Sequence, residues 1–262
     1  MARLLFDKNP LSNNKATAAA LKLIAAEKKK GRTKEQCKCI DFFYSVDDGG
    51  KKKGCFSSVT KPMTMDQYLT YVDGLANSLN IKERAIEKIG LDESEISEIE
   101  PINLASFVRK GDGVEVKYEN MKIGKLIKPV MVSNKYSTTW IFFSQKQIYT
   151  YTYIFDTLTD SIEEYTRDFF YRDITCIRTE HEIESTIYER VEGCGCLSFL
   201  RKKESKYYNC MTHFDTLQIT VPNDAYSFCC RSDSFNEKTY ASIMAIKAMI
   251  REKKDQYEKT QY

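Results

Sequence analysis

The residues best placed by type and spacing to do chemistry are Cys194-Gly195-Cys196, Cys210 and His213. Three thiolates and an imidazole can complete a tetrahedral zinc site, which would make this loop the centre of a zinc-stabilised domain or an enzyme. The one-residue gap between Cys194 and Cys196 is less common in structural zinc sites than a gap of two. On a regular strand the odd separation of Cys210 and His213 also sends them to opposite faces. A loop with incidental thiols is the competing reading. A second group, Cys37-Lys38-Cys39 with Cys55, offers three ligands and needs a partner chain to complete it.

A nucleophilic mechanism needs a base beside its nucleophile, and His181 and His213 are the two histidines in the chain. His181 sits in Thr179-Glu180-His181-Glu182, a setting that suits an exposed strand. The pairs Glu163-Glu164 and Glu182/Glu184 have the type for acid–base work, and a solvated strand face is their ordinary home. Gly49-Gly50-Lys51 lacks the spacing of a phosphate-binding loop, so nucleotide hydrolysis is set aside. Tyr149, Tyr151 and Tyr153 could stack bases on a sheet, but no basic stripe runs between them. They read as core, and no nucleic-acid partner is expected. No catalytic residue and no cofactor is assigned.

The elements that must carry these residues fit in 262 residues as one large domain or two modest ones. Apolar and charged contents of 42% and 29% are those of a globular protein with a proper core. The net charge of +3 excludes a strongly basic nucleic-acid binder, although it is unevenly spread. Basic residues exceed acidic ones by eight up to Lys61, and acidic residues then exceed basic ones by six up to Leu104. Nine scattered cysteines favour reduced thiols. With neither an apolar membrane-length run nor a leader-like N-terminus, the expectation is a cytoplasmic location, at most peripheral to a membrane.

Ala16 to Lys30 reads as an amphipathic helix stopped at Gly31, with Lys28, Lys29 and Lys30 complementing its dipole or forming an anion patch. Lys51 to Lys53 belong to an exposed loop. Thr64-Met65-Asp66-Gln67 has the spacing of a capping box ahead of a helix through Leu79, and Asn80 with Glu83 repeats the signal ahead of a second helix ending at Gly90. Past Pro101 the hydrophobic period changes to alternation. The boundary is placed at 101–112, giving a helical region over 1–110 and a β-rich domain over 111–262. Strands are predicted around Trp140–Ser144, Tyr149–Phe155, Glu163–Tyr171, Cys176–Val191, Tyr207–Phe214, Thr216–Val221 and Tyr226–Cys230. A closing helix over Phe235–Tyr257 would present Tyr240, Ile243, Ile246, Met249 and Ile250 near one face.

About seven strands followed by one helix resembles the pleckstrin-homology-like domains, in their bacterial branch. The resemblance is carried by Thr139-Trp140-Ile141-Phe142-Phe143, by Phe169-Phe170-Tyr171-Arg172-Asp173-Ile174, and by the closing strand and helix from Leu217 to Lys254. It implies an α+β protein whose C-terminal part is an antiparallel β-barrel or sandwich capped by a helix. It also implies a non-enzymatic adaptor that docks a protein partner, with an anionic membrane surface as a second partner. By position, the lysines around the first hairpin that would serve an anionic lipid head group are Lys122, Lys125, Lys128 and Lys135. The oligomeric state is left open.

Overall fold

The computed structural model describes residues 15–44, 63–92, 99–123, 126–192, 204–231 and 237–260. Within them the chain is α+β. Helices α1 (Lys15–Lys28), α2 (Lys34–Tyr44), α3 (Met65–Ser78) and α4 (Ile81–Ile89) come first, and α5 (Glu237–Thr260) comes last. Between them run β1 (Ile102–Phe107), β2 (Val116–Ile123), β3 (Leu126–Ser133), β4 (Lys135–Phe143), β5 (Gln147–Asp156) and β6 (Ile162–Phe170). A 3₁₀ turn at Tyr171–Asp173 leads to β7 (Cys176–Glu192), β8 (Glu204–Val221) and β9 (Asp224–Arg231). No helix of the described residues is long and apolar enough to cross a membrane.

The strands do not close a barrel. They form three antiparallel sheets, ordered β1-β4-β5-β6, β2-β3 and β7-β8-β9. β1, β2 and β3 add to the strands expected from sequence, and the two segments expected on either side of Asp215 are one strand, β8. Barrel closure needs the end strands of a sheet to pair with each other, and among the described residues the ends of each sheet stay unpaired.

Alternation sorts the four-stranded sheet into two cores. One face carries Phe107, Tyr136, Phe142, Tyr151, Tyr153 and Phe155, and helices cover it through Ile40, Phe42, Tyr68, Val72 and Ala85. The other face carries Ile102, Leu104, Ile141, Phe143, Ile148 and Phe169, against Leu217, Ile219 and Phe228 of β8 and β9 and Ile243 and Ile250 of α5. Tyr240, expected on the buried stripe of α5, is 56% exposed. It lies near the start of the helix, one turn before Ile243, which enters the second core.

Local signals fix the helix ends. Thr64 Oγ1 accepts from Gln67 N, and Gln67 Oε1 accepts from Thr64 N, so the predicted capping box forms. Thr33 and Gln36 make the same reciprocal pair ahead of α2. Gly90 supplies the left-handed stop of α4 at φ 73°. Asn80 departs from expectation. It is itself left-handed, at φ 44°, and its side chain makes no cap bond.

The junction from β3 to β4 is a buried corner one residue long. Asn134 N bonds Glu115 O, and its side-chain amide accepts from Glu115 N and donates to Gly113 O and Asp156 Oδ1. Its carbonyl accepts from the backbone N–H and hydroxyl of Thr157. The preceding carbonyl, of Ser133, accepts from the Tyr68 hydroxyl at 2.7 Å, and that hydroxyl also meets Thr157 Oγ1 at 2.8 Å. Tyr68 is fully buried and stacks on Phe42 with centroids 4.6 Å apart. Tyr68→Phe keeps the stack and strips the Ser133 carbonyl of its donor. It is expected to cost about 1–3 kcal/mol, read as a lower urea midpoint with unchanged slope in an equilibrium unfolding curve.

Candidate functional site

A groove of about 450 Å³ opens where the α3–α4 turn passes over β1 and β4. Its floor is Asn103 and Ala105 of β1 beside Tyr136, Thr138 and Trp140 of β4. The register pairs Asn103 with Trp140 and Ala105 with Thr138, which puts all four on the helix-facing side of the sheet. β1 reads Ile-Asn-Leu-Ala-Ser-Phe, so its large residues Ile102 and Leu104 go to the second core while a small and a polar residue face the helices. The gap they leave is the groove. Asp73, Asn77, Lys82 and Glu83 form its exposed rim.

Two features hold the groove open. The α3–α4 turn is tight, with Leu79 capping one helix and left-handed Asn80 starting the next, so the helices diverge from a fixed point. α4 is then clamped to the sheet: Arg84 bonds Tyr151 OH at 3.1 Å and Glu164, its guanidinium lies over the Tyr153 ring, and Lys88 reaches Glu164 at 3.4 Å. Burial by itself would raise the Glu164 carboxyl. The Arg84 hydrogen bond and charge, with Lys88, outweigh it and hold the group below the usual carboxylate range.

Lys82 Nζ stands 5.5 Å from the centroid of the Trp140 ring at the groove wall. The side-chain amides of Asn77 and Asn103 bond to no other described residue. Each offers a donor pair and an acceptor to whatever enters the groove.

The residues singled out by sequence fall elsewhere. Cys194, Cys196, Cys55, Lys125 and Lys51 to Lys53 lie outside the described residues. Cys210 is fully buried, whereas His213 is exposed on the other face of β8. His213 Nδ1 lies 3.1 Å from His181 Nε2, and His181 Nδ1 lies 2.8 Å from Asp215 Oδ1. The Asp215 carboxylate accepts from His181 Nδ1, and the contact to His213 engages the other ring nitrogen of His181. Among the described residues no group of three or more side chains converges to hold a metal.

Glu163 pairs with Lys135 and Glu164 with Arg84, on opposite faces of β6, while Glu182 and Glu184 share Arg109. Lys122 and Lys128 lie on β2 and β3, in register with Ile127 and Met121. Lys28, Lys29 and Lys30 are paired with Glu115, Asp41 and Glu27. Tyr151 and Tyr153 are buried beneath the helices.

No family model, curated protein or solved structure matches the chain.

Sequence reasoning missed the groove because it missed β1, whose alternation of Ile102 and Leu104 with Asn103 and Ala105 is the local signal. Two predictions follow from the charge and thiol chemistry. A depressed carboxyl contributes stability above its unfolded pKa of about 4.3 and loses it as pH falls through the folded value. Glu164→Gln should therefore melt lower than the parent at neutral pH, with the gap closing below about pH 4 in a pH series of melting curves. Burial pushes the Cys39 thiol up to about 12 and the Cys210 thiol upward as well. Iodoacetamide at mildly alkaline pH should label exposed Cys176 in the folded protein and reach Cys39 and Cys210 after unfolding, as read by peptide mass mapping.

Proposed function

We propose that the chain is a non-enzymatic binding module that docks a protein partner by taking an extended segment of it into the groove under the α3–α4 turn. The observation that carries this reading is the pairing of two uncommitted amides, Asn77 on the rim and Asn103 on the floor, with the aromatic wall of Trp140. An extended segment presents backbone N–H and C=O groups in alternation, and an asparagine amide can meet one of each. The indole gives an apolar side chain of the segment a flat surface to cover, and half-buried aromatics of this kind dominate binding energy at interfaces. Asp73, Glu83 and Lys82 mix both signs around the opening, which suits a polar rim and selects no strongly charged ligand. A membrane-surface version of the same role draws no support from Lys135, which Glu163 holds at 3.1 Å.

Trp140 is the single tryptophan of the chain, so its emission reports groove occupancy directly. Random peptides displayed on phage and selected on the full-length protein should shift that emission when added as synthetic copies. Asn103→Ala and Trp140→Ala should weaken them at least tenfold by calorimetry, with circular dichroism checking that both variants remain folded at the assay temperature. Selected peptides that bind both variants as tightly as the parent, or a selection that yields none, would overturn the reading.

A further inference from the structure

The chain has two histidines, and the fold brings them together. His181 of β7 is in register with Asp215 of β8, and His213 is in register with Ile183, so the two imidazoles are diagonal neighbours on one face of the hairpin. Both are exposed. His181 Nε2 and His213 Nδ1 stand 3.1 Å apart while the ring centroids stand 5.3 Å apart, so the two nitrogens lie between the rings and face each other. The alternate residues Glu182 and Glu184 go to the other face of β7, where Arg109 holds them.

We propose that His181 and His213 form a two-imidazole site for a divalent late transition ion, bound through Nε2 of the first and Nδ1 of the second, with water completing the shell. Metal–nitrogen bonds of about 2.0–2.1 Å set two ligands of a tetrahedral ion about 3.3–3.4 Å apart. The facing nitrogens need only part by a few tenths of an ångström to admit one. Asp215 supplies the second mark of such a site. A ligating histidine ordinarily gives its other ring N–H to a carboxylate, which orients the ring and makes the coordinating nitrogen a better donor. His181 Nδ1 lies 2.8 Å from Asp215 Oδ1, which leaves Nε2 with its lone pair. His213 Nε2 bonds no other described residue and can carry the proton of its ring toward solvent, which frees Nδ1 for the ion.

Imidazole nitrogens suit zinc, nickel and copper, whereas Mg²⁺ and Ca²⁺ seek oxygen. Two protein ligands are fewer than the closed shell of a structural zinc, so the ion stays exchangeable and its affinity follows the intrinsic order, with Cu²⁺ ahead of Ni²⁺ and Zn²⁺. A hydrogen bond between two exposed imidazoles replaces bonds that water already supplies, and gains little for ordering both rings. An ion in the same place ties β7 to β8. It recognises the folded pairing alone and therefore stabilises the hairpin by mass action.

Two histidines give two sets of ring-nitrogen signals, so magnetic resonance of the full-length protein with isotope-labelled histidine reads the site directly. Exposed thiols are first alkylated with iodoacetamide to remove competing ligands. Zn²⁺ added alone should shift His181 Nε2 and His213 Nδ1 together, with one concentration dependence, and should raise the melting temperature. His181→Gln and His213→Gln should each remove the joint shift and weaken Zn²⁺ at least tenfold by calorimetry. Asp215→Asn keeps both imidazoles and should weaken it about 10–100-fold. Circular dichroism on the three variants checks that each remains folded. Ring-nitrogen signals that stay in place at millimolar Zn²⁺, or that move for one histidine alone, would overturn the proposal, as would Zn²⁺ binding undiminished in both histidine variants. An affinity indifferent to Asp215→Asn would overturn the part given to the carboxylate.

Discussion

The arrangement depends on satisfying a buried corner. β3 ends one sheet at Ser133 and β4 begins another at Lys135, leaving Asn134 alone to turn the chain with 1% of its surface exposed. Backbone polar groups so placed have no access to water and must find partners within the protein. They find them in three different segments: Gly113 and Glu115 before β2, Asp156 and Thr157 at the end of β5, and Tyr68 from α3. The tyrosine hydroxyl is therefore more than a packing accessory. It ties the helical layer to the point where the two sheets diverge.

Once α3 is fixed there, the rest of the helical layer has little freedom. Phe42 stacks on Tyr68, which brings in α2, and the side-chain amide of Gln36 secures α2 to Asp160 in the turn after β5. Lys117 caps the end of α2 by donating to Phe42 O. α4 leaves α3 through a tight left-handed turn and is held at its other side by Arg84. The helices are thus pinned over β4 and β5, where the sheet presents large aromatics, and are left spanning the small residues of β1. The groove is a consequence of where the packing is anchored.

The sequence carries much of this in local signals. Thr64 with Gln67, Gly90, and the alternation from Trp140 to Phe155 were each legible because they act within a few residues. The Thr33–Gln36 pair is the same signal as Thr64–Gln67 and marks α2 equally well, but the flanking cysteines invite a metal reading instead. β3 contains Pro129, which a strand tolerates at a sheet edge, and β2 is rich in charge, so both lack the apolar alternation of a central strand. Asp215 makes β8 look like two strands, yet its carboxylate is used on the surface by His181 and leaves the backbone ladder intact. The groove could not be read along the chain, because residues 73–83, 103–105 and 136–140 meet only in three dimensions.

The long hairpin of β7 and β8 shows why an exposed apolar face can be a consequence of folding rather than an accident. Near the base, Leu217 and Ile219 enter the second core from one face of β8; further along, Phe214 enters the first core from the opposite face. Right-handed twist makes this possible, since a strand of such length rotates enough for alternate faces to meet different layers. Arg109, stacked over Phe214 at 4.4 Å and paired with Glu182, marks the crossing point. Past it, the face that was buried at the base is turned outward, still carrying the β-branched residues that a strand needs. Ile183 and Ile187 are exposed because the hairpin serves two cores at once, and their side chains are left on the face that neither core covers.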